Sequence, residues 1–374
     1  MMYRAGSAGL GILLMGAGIG CGERPVGAEP FTRESPLGEW QAAQESSEAD
    51  AGASEADAGA TAIGDVAADA GLPSEADAGA DDTALHPGIE DPAEPPPPLP
   101  ADIVEQSSLP FHGVSDGEVI SARSVWRQLK HSRAICLGEL HDNPFHHNLQ
   151  RRVLERLAAR ERARPAWRGA LAIGYEMFQR PFQEPLSRYV QGELEEPDFL
   201  AQTEYAQRWG SDLALYRPLF EANREQGLPA LALNAPTELT RAIGRDGLES
   251  LSPELQALLP ELDLDDAEHR EHIFGLFGLT PDDPAAASLE NIYRAQVTWD
   301  ETMAQTASEW LTGDDGRRVL AFAGTAHCHE TAIPRRVTRR TGIDMLSVAP
   351  VLESEYEAFP EDWQGYELLI ILED

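Results

Sequence analysis

The sequence predicts an α/β domain with a mostly parallel central sheet flanked by helices. Three observations carry that expectation. From about residue 107 onward, short apolar runs alternate with longer amphipathic stretches, the rhythm of strands joined by crossover helices. Four of those runs end in Glu, His or Asn, as expected where strand ends line a ligand crevice. Upstream of residue 107 the composition turns acidic and repetitive, which is too polar to bury a core.

Taken in order, residues 1–20 read as a lipoprotein signal peptide. Arg4 supplies the positive start and Ala8 to Ile19 the apolar stretch. Gly18 and Gly20 flank Ile19 just ahead of Cys21, a lipobox-like arrangement in which Cys21 becomes the acylated N-terminus. Gly18 stands where such motifs usually carry leucine. Gly22, rather than Asp, follows the cysteine, which points to the outer membrane, on its periplasmic or surface face. Residues 21–106 read as a disordered acidic tether. The unit SEADAGA recurs at 47–53, 54–60 and 74–80, and Pro95 to Pro98 form a stiff spacer.

The folded block is 107–374. Ala134–Gly138, Ala170–Tyr175, Leu228–Asn234 and Arg318–Gly324 read as buried strands, with later candidates at Asp344–Val348 and Glu367–Leu372. Helical patterns cover His146–Ala159, 182–191, 197–207, 212–226, a stretch from Thr237, and a short helix near Pro334. A long helix spans Ser288–Leu311 with Gln296 as the polar exception on its apolar stripe. Residues 249–287 read as a helical insertion or lid.

Acidic residues outnumber basic ones 64 to 29, for a net charge of −35, and Lys130 is the only lysine. An acidic excess on this scale disfavours binding to nucleic acid or to anionic lipid. Three cysteines make no disulfide framework. Cys136 reads as core packing and Cys328 as a loop thiol, although a soft ligand is open to it. No apolar run is long enough to span a membrane. HExxH, Walker, GxSxG, GxGxxG and CxxCH motifs are all missing from the sequence.

The chemistry gathers at the strand ends. GELHDNPFHH (138–147) places Glu139, His141, Asp142, His146 and His147 together. Glu176 ends the second strand, Asn234 the third, and His327 follows the fourth in GTAHCH (324–329). Two Gly-x-x-His units, Gly138–His141 and Gly324–His327, each permit a tight turn with a histidine over the sheet edge. Two imidazoles with a carboxylate suit a divalent metal acting on a hydrolytic water. The plainer reading is histidines that bond loop backbone. HREH (269–272) reads as a solvated helix face.

GELHDNPFHHNLQ (138–150), YEMFQRPFQEPLSRYVQGE (175–193), the W-x6-Y element Trp209–Tyr216 with Pro218, Asn234–Pro236, AQVTWDETMA (295–304) and AGTAH (323–327) occur in one order. Together they resemble the ChaN-like haem-binding lipoprotein family over roughly 115–350. The resemblance implies an α/β domain that binds b-type haem non-covalently in iron acquisition or haem handling. It also implies tyrosine ligation, a homodimer formed on haem binding and an outer-membrane haem receptor as partner. A phenolate is a hard donor suited to ferric iron. Tyr216 is the first choice for the iron ligand, with Tyr175 and Tyr189 as alternatives. His146, His147 and Arg217 would meet propionates or the distal face. A more distant resemblance, to the Tiki/TraB and erythromycin-esterase-like group, implies instead a hydrolase centred on Glu139, His141, Glu176 and His327.

Overall fold

The computed structural model describes residues 111–163 and 170–373. The expected signal peptide, with Cys21, and the expected tether lie outside the described residues. The described chain opens with an antiparallel hairpin that the sequence reading did not include, β1 (Phe111–Ser115) and β2 (Glu118–Ile120). Asp116 and Gly117 turn it, both at positive φ, as the Asp-Gly hairpin signal would require.

Helix α1 (Ala122–His131) is started by the Ser121 side chain, which accepts from the Ser124 amide. β3 (Ala134–Glu139) leads into α2 (Pro144–Arg162), whose first turn is capped by Asn143 and opened by Pro144. β4 (Leu171–Gln179) outruns its expected end at Tyr175, so Glu176 lies inside the strand. The helix expected over 197–207 is interrupted. α3 (Gln183–Val190) and α4 (Glu196–Gln202) are followed by a single turn at Tyr205–Arg208, with Glu204 left-handed at φ 52°. Then come α5 (Leu213–Gln226), β5 (Ala230–Asn234), α6 (Thr237–Asp246), α7 (Ala267–Leu276) and α8 (Glu290–Gly313). β6 (Arg318–Gly324), α9 (Ile333–Thr341), β7 (Met345–Leu352) and β8 (Leu368–Leu372) complete the fold.

The strands form one sheet in the order β2-β1-β8-β7-β3-β6-β4-β5. From β8 to β5 every neighbouring pair is parallel, and β1 runs antiparallel to both of its neighbours, β2 and β8. This is the mostly parallel α/β architecture that strand–helix alternation predicts. Both faces are covered, so alternate residues of one strand enter different cores. Ile135 and Leu137 pack with residues of α2, α3 and α5, whereas Ala134 and Cys136 pack with α8 and α9. Burying Ile135 and Leu137 stabilises the fold by roughly 1.5–3 kcal/mol each.

The expectations for two cysteines are corrected. Cys136 and Cys328 form a disulfide that closes 192 residues of chain. Neither is a simple thiol, because the fold brings β3 and the loop after β6 side by side, a proximity no local pattern reveals. The 249–287 segment carries the expected helical turns, and α7 within it is docked. Ile273 and Phe274 bury against Tyr293 and Val297 of α8.

Candidate functional site

The parallel register decides which strand ends meet. Glu139 at the end of β3 lies opposite Gly324 of β6, and Glu176 follows Tyr175, which lies opposite Phe322. Three adjacent strands, β3, β6 and β4, therefore deliver Glu139, the Gly324–His327 loop and Glu176 to one edge. β5 does not join them. Its register against β4 shifts after Tyr175 and places Asn234 opposite Gln179. The Asn234 side chain there accepts from the Ala235 amide and shapes the turn into α6.

The two Gly-x-x-His glycines act through missing volume rather than through left-handed backbone. A Cβ on Gly138 would meet the Thr325 backbone at 3.0 Å. One on Gly324 would meet the His141 ring at 3.2 Å and Glu176 Oε2 at 3.7 Å. His141 and Glu176 thus converge on the same glycine, joining the two halves of the site.

In the first half, Glu139 is buried and fully engaged. Its Oε1 accepts from the Tyr216 hydroxyl at 2.6 Å and from His141 Nδ1 at 2.8 Å. Its Oε2 accepts from Gln150 Nε2 at 2.8 Å, with His147 Nδ1 3.6 Å away. Burial alone would raise its pKa, but the charge of His147 and the hydrogen bonds from His141 and Tyr216 outweigh it and hold it at about 2. Tyr216 is pushed well above 10 by burial and by the Glu139 charge. Its ring is 0% exposed, and Trp209 stands edge-on to both Tyr216 and His141, with centroids 6.0 and 4.7 Å away.

The flanking histidines are structural donors and acceptors. His146 Nδ1 accepts from the Leu140 amide at 2.9 Å. Burial and the neighbouring His147 lower its pKa to about 3, so the ring is neutral and Nε2 carries its one proton. His147 Nε2 donates to the His141 carbonyl at 3.0 Å. Arg217 points elsewhere and is clamped by Glu196 through three contacts of 2.8–3.1 Å. Tyr175 and Tyr189 are buried in the aromatic core, where Tyr189 stacks on Phe199.

The second half is a relay of charge. Glu176 Oε2 accepts the Gly324 amide at 2.6 Å, and Oε1 lies 3.3 Å from His327 Nε2. His327 Nδ1 donates to Asp300 Oδ1 at 2.6 Å. Burial opposes charge on this imidazole, but Glu176 and Asp300 on either side raise its pKa well above 6.5. Burial would raise both carboxylates, yet the His327 charge beside them lowers Glu176 and holds Asp300 well below the usual range. Asp300 Oδ2 accepts from His269 Nε2 at 3.0 Å, and Arg336 donates to His269 Nδ1 at 3.2 Å.

HREH is therefore not a solvated face. His269 is 0% exposed, because its partner lies 31 residues away on α8. Asp300 lies within AQVTWDETMA and Trp209 opens the W-x6-Y element, but the sequence assigns neither a contact at the site. The four-residue step from Gln296 to Asp300 along the α8 stripe was the available signal, and Gln296 does reach His327, at 3.1 Å. Among the described residues no group of three His, Cys, Asp or Glu is arranged to hold a metal ion. The oxygens of Glu139 and Glu176 are committed to protein donors instead.

Among curated proteins none matches the chain. Among solved structures, one similar to it is the ChaN protein of Campylobacter jejuni, whose description is cofacial haem binding. The match has a TM-score of 0.54 at 16% identity and covers 71% of this chain and 97% of that one. An erythromycin esterase mutant in its open conformation overlaps at a TM-score of 0.38 and 11% identity, covering 67% and 78%. The family model described as "Haem-binding uptake, Tiki superfamily, ChaN" matches residues 125–337. The chain belongs to this ChaN haem-binding uptake family.

Proposed function

We propose that this chain is a lipid-anchored haem-binding protein that holds b-type haem non-covalently at the carboxyl edge of β3, β6 and β4. One observation carries the placement: Tyr216, in the Trp209–Tyr216 element, donates at 2.6 Å to an ionised carboxylate, Glu139. Haem, when bound, supplies a ferric centre that favours a hard anionic donor. The donor set fits such a centre. Tyr216 keeps its proton in the closed site and donates it in a hydrogen bond to Glu139 Oε1, which His141 Nδ1 also meets. His146 Nδ1 is occupied by the Leu140 amide and Nε2 holds a proton, so His146 offers a donor to a propionate rather than a lone pair to iron. Arg217, tied to Glu196, is withdrawn from that role. Trp209 covers Tyr216, so ligation requires Trp209 to turn outward, with Gly210 at φ 80° beside it.

Export and anchoring through Cys21 are supported by the Cys136–Cys328 disulfide, since such bonds persist in oxidising compartments. The third cysteine, Cys21, is left for acylation. The cofacial haem described for the Campylobacter protein supports a homodimer formed on haem binding, and uptake implies an outer-membrane haem receptor. Titration of the full chain with ferric haem tests the proposal. Saturable binding with a shifted Soret band is expected, and failure to saturate would overturn it.

One observation favours a second reading. His141 is oriented by an ionised carboxylate at 2.8 Å, with its ring near Gly324, the arrangement of a general base in a His/Glu hydrolase. A metal-dependent version lacks a donor set among the described residues. His327, held as an imidazolium, serves as an acid or an anchor but not as a base. Ester hydrolysis abolished by His141→Ala, in a protein that binds no haem, would establish this reading in place of the first.

A further inference from the structure

Folding sets a run of arginines on α2 against the end of α1. Arg152, Arg156 and Arg160 recur every fourth residue along α2, and Arg151 precedes them. Lys130 and His131 end α1 beside them. Together these side chains line two adjoining grooves of about 410 and 540 Å³ that share Arg156. Glu155, paired with Arg151 at 2.6 Å, is the acidic residue of the lining. Like charges four residues apart destabilise a helix by about 0.2–0.5 kcal/mol per pair. Burial and then the neighbouring charges of Arg151 and Arg156 lower the pKa of Arg152. In a chain of net charge −35 this face sets Lys130 and four arginines against one glutamate.

The chain enters the fold at the same face. Phe111, where the described residues begin, stands edge-on to Trp126 at 5.9 Å with Arg152 over its ring at 5.6 Å. Trp126 also lines the groove and lies under Arg156 at 4.1 Å. Preceding Phe111 is the segment 41–100, with 14 acidic residues and no Lys or Arg. Residues 94 to 111 extended would span roughly 55 Å. The stripe from Arg152 to Arg160 is about 12 Å long.

We infer that the α1–α2 groove is the docking site of the chain's own acidic segment, residues 41–100, held by charge as it leaves Phe111. The occupied groove is then unavailable to other polyanions and to anionic lipid. Attachment through the backbone makes the contact an intramolecular one at high effective concentration. It is also salt-sensitive, because the Debye length falls from about 8 Å at physiological ionic strength to about 3 Å at 1 M.

Lys130 makes the test direct, because as the only lysine it is the one side-chain amine available to a zero-length carbodiimide cross-linker. The full chain is cross-linked in low salt and in 1 M NaCl, and the amides are mapped by mass spectrometry. The expected product joins Lys130 to Asp or Glu of 41–100 within one chain, at a yield several-fold lower in 1 M NaCl. The yield falls likewise in Arg152→Gln/Arg156→Gln, which retains Lys130, and in a variant with the acids of 41–100 changed to amides. Lys130 joined only to carboxylates of 107–374, or to none, overturns the inference. So does a product joining two chains, which would make a second copy the occupant.

Discussion

Replacing Cys136 and Cys328 together by alanine removes a cross-link that closes 192 residues of chain. For a loop of that size, the chain-entropy relation gives roughly 18 cal/mol/K, or about 5 kcal/mol at 25 °C, of lost restraint on the unfolded state. Domains are stable by about 5–15 kcal/mol, so the double variant should lose a large share of its stability. The assay is urea unfolding followed by tryptophan fluorescence, comparing oxidised wild type with the variant. The bond also has a place in the site. Cys328 follows His327 directly, and Cys136 precedes Gly138 by two residues on the neighbouring strand. Hydrogen exchange at Gly324–Cys328 should therefore quicken more than at α6, which lies away from the bond. Coincident unfolding midpoints, or free thiols at Cys136 and Cys328 in the purified protein, would refute this reasoning.

Gly324→Ala places a Cβ 3.2 Å from the His141 ring; overpacking of this kind costs ~1–3 kcal/mol, read by urea unfolding, and should weaken haem binding as well. Unchanged stability and affinity would show that His141 moves freely. Trp209→Ala uncovers Tyr216 and should speed haem association in stopped flow without loss of fold; an unchanged rate would remove Trp209 as the cover. Stability should also fall in acid. His146 sits at about 3 against 6.5 unfolded, so only the unfolded state gains its proton in that window. The His146 contribution is complete above pH 6.5 and lost as pH falls towards 3, on the order of 5 kcal/mol. Glu139, at about 2 against 4.5, adds loss between pH 4.5 and 2. His327 runs the other way, contributing fully below pH 6.5 and less as pH rises through its elevated folded value. Unfolding midpoints measured from pH 3 to 8 that stay flat would contradict these assignments.

Local pattern was enough for six of the eight strands and for the edge they share, because buried parallel strands are continuous apolar runs ending in polar residues. β2 escaped notice because Glu118–Ile120 is three residues long and mostly exposed, leaving no apolar run to read. Glu139, His141, Glu176 and His327 could be named from their strand ends, and Tyr216 from the element around it. Long-range pairings could not. The Cys136–Cys328 bond, the His269–Asp300 contact and the gathering of arginines against Lys130 all depend on which elements become neighbours. Asn234 failed for a related reason, since a register shift in β4 moved it from the cluster. Arg217 suits a propionate by its charge, but Glu196, 21 residues earlier, takes it.

The most direct test of the central claim is resonance Raman spectroscopy of the ferric-haem complex of the full chain and of Tyr216→Phe. Near-ultraviolet circular dichroism establishes that both are folded. Tyrosinate bands in the wild-type complex that vanish in the variant are the predicted result. Bands lacking in the wild type, or persisting in Tyr216→Phe, would contradict the assignment of Tyr216 as the iron ligand.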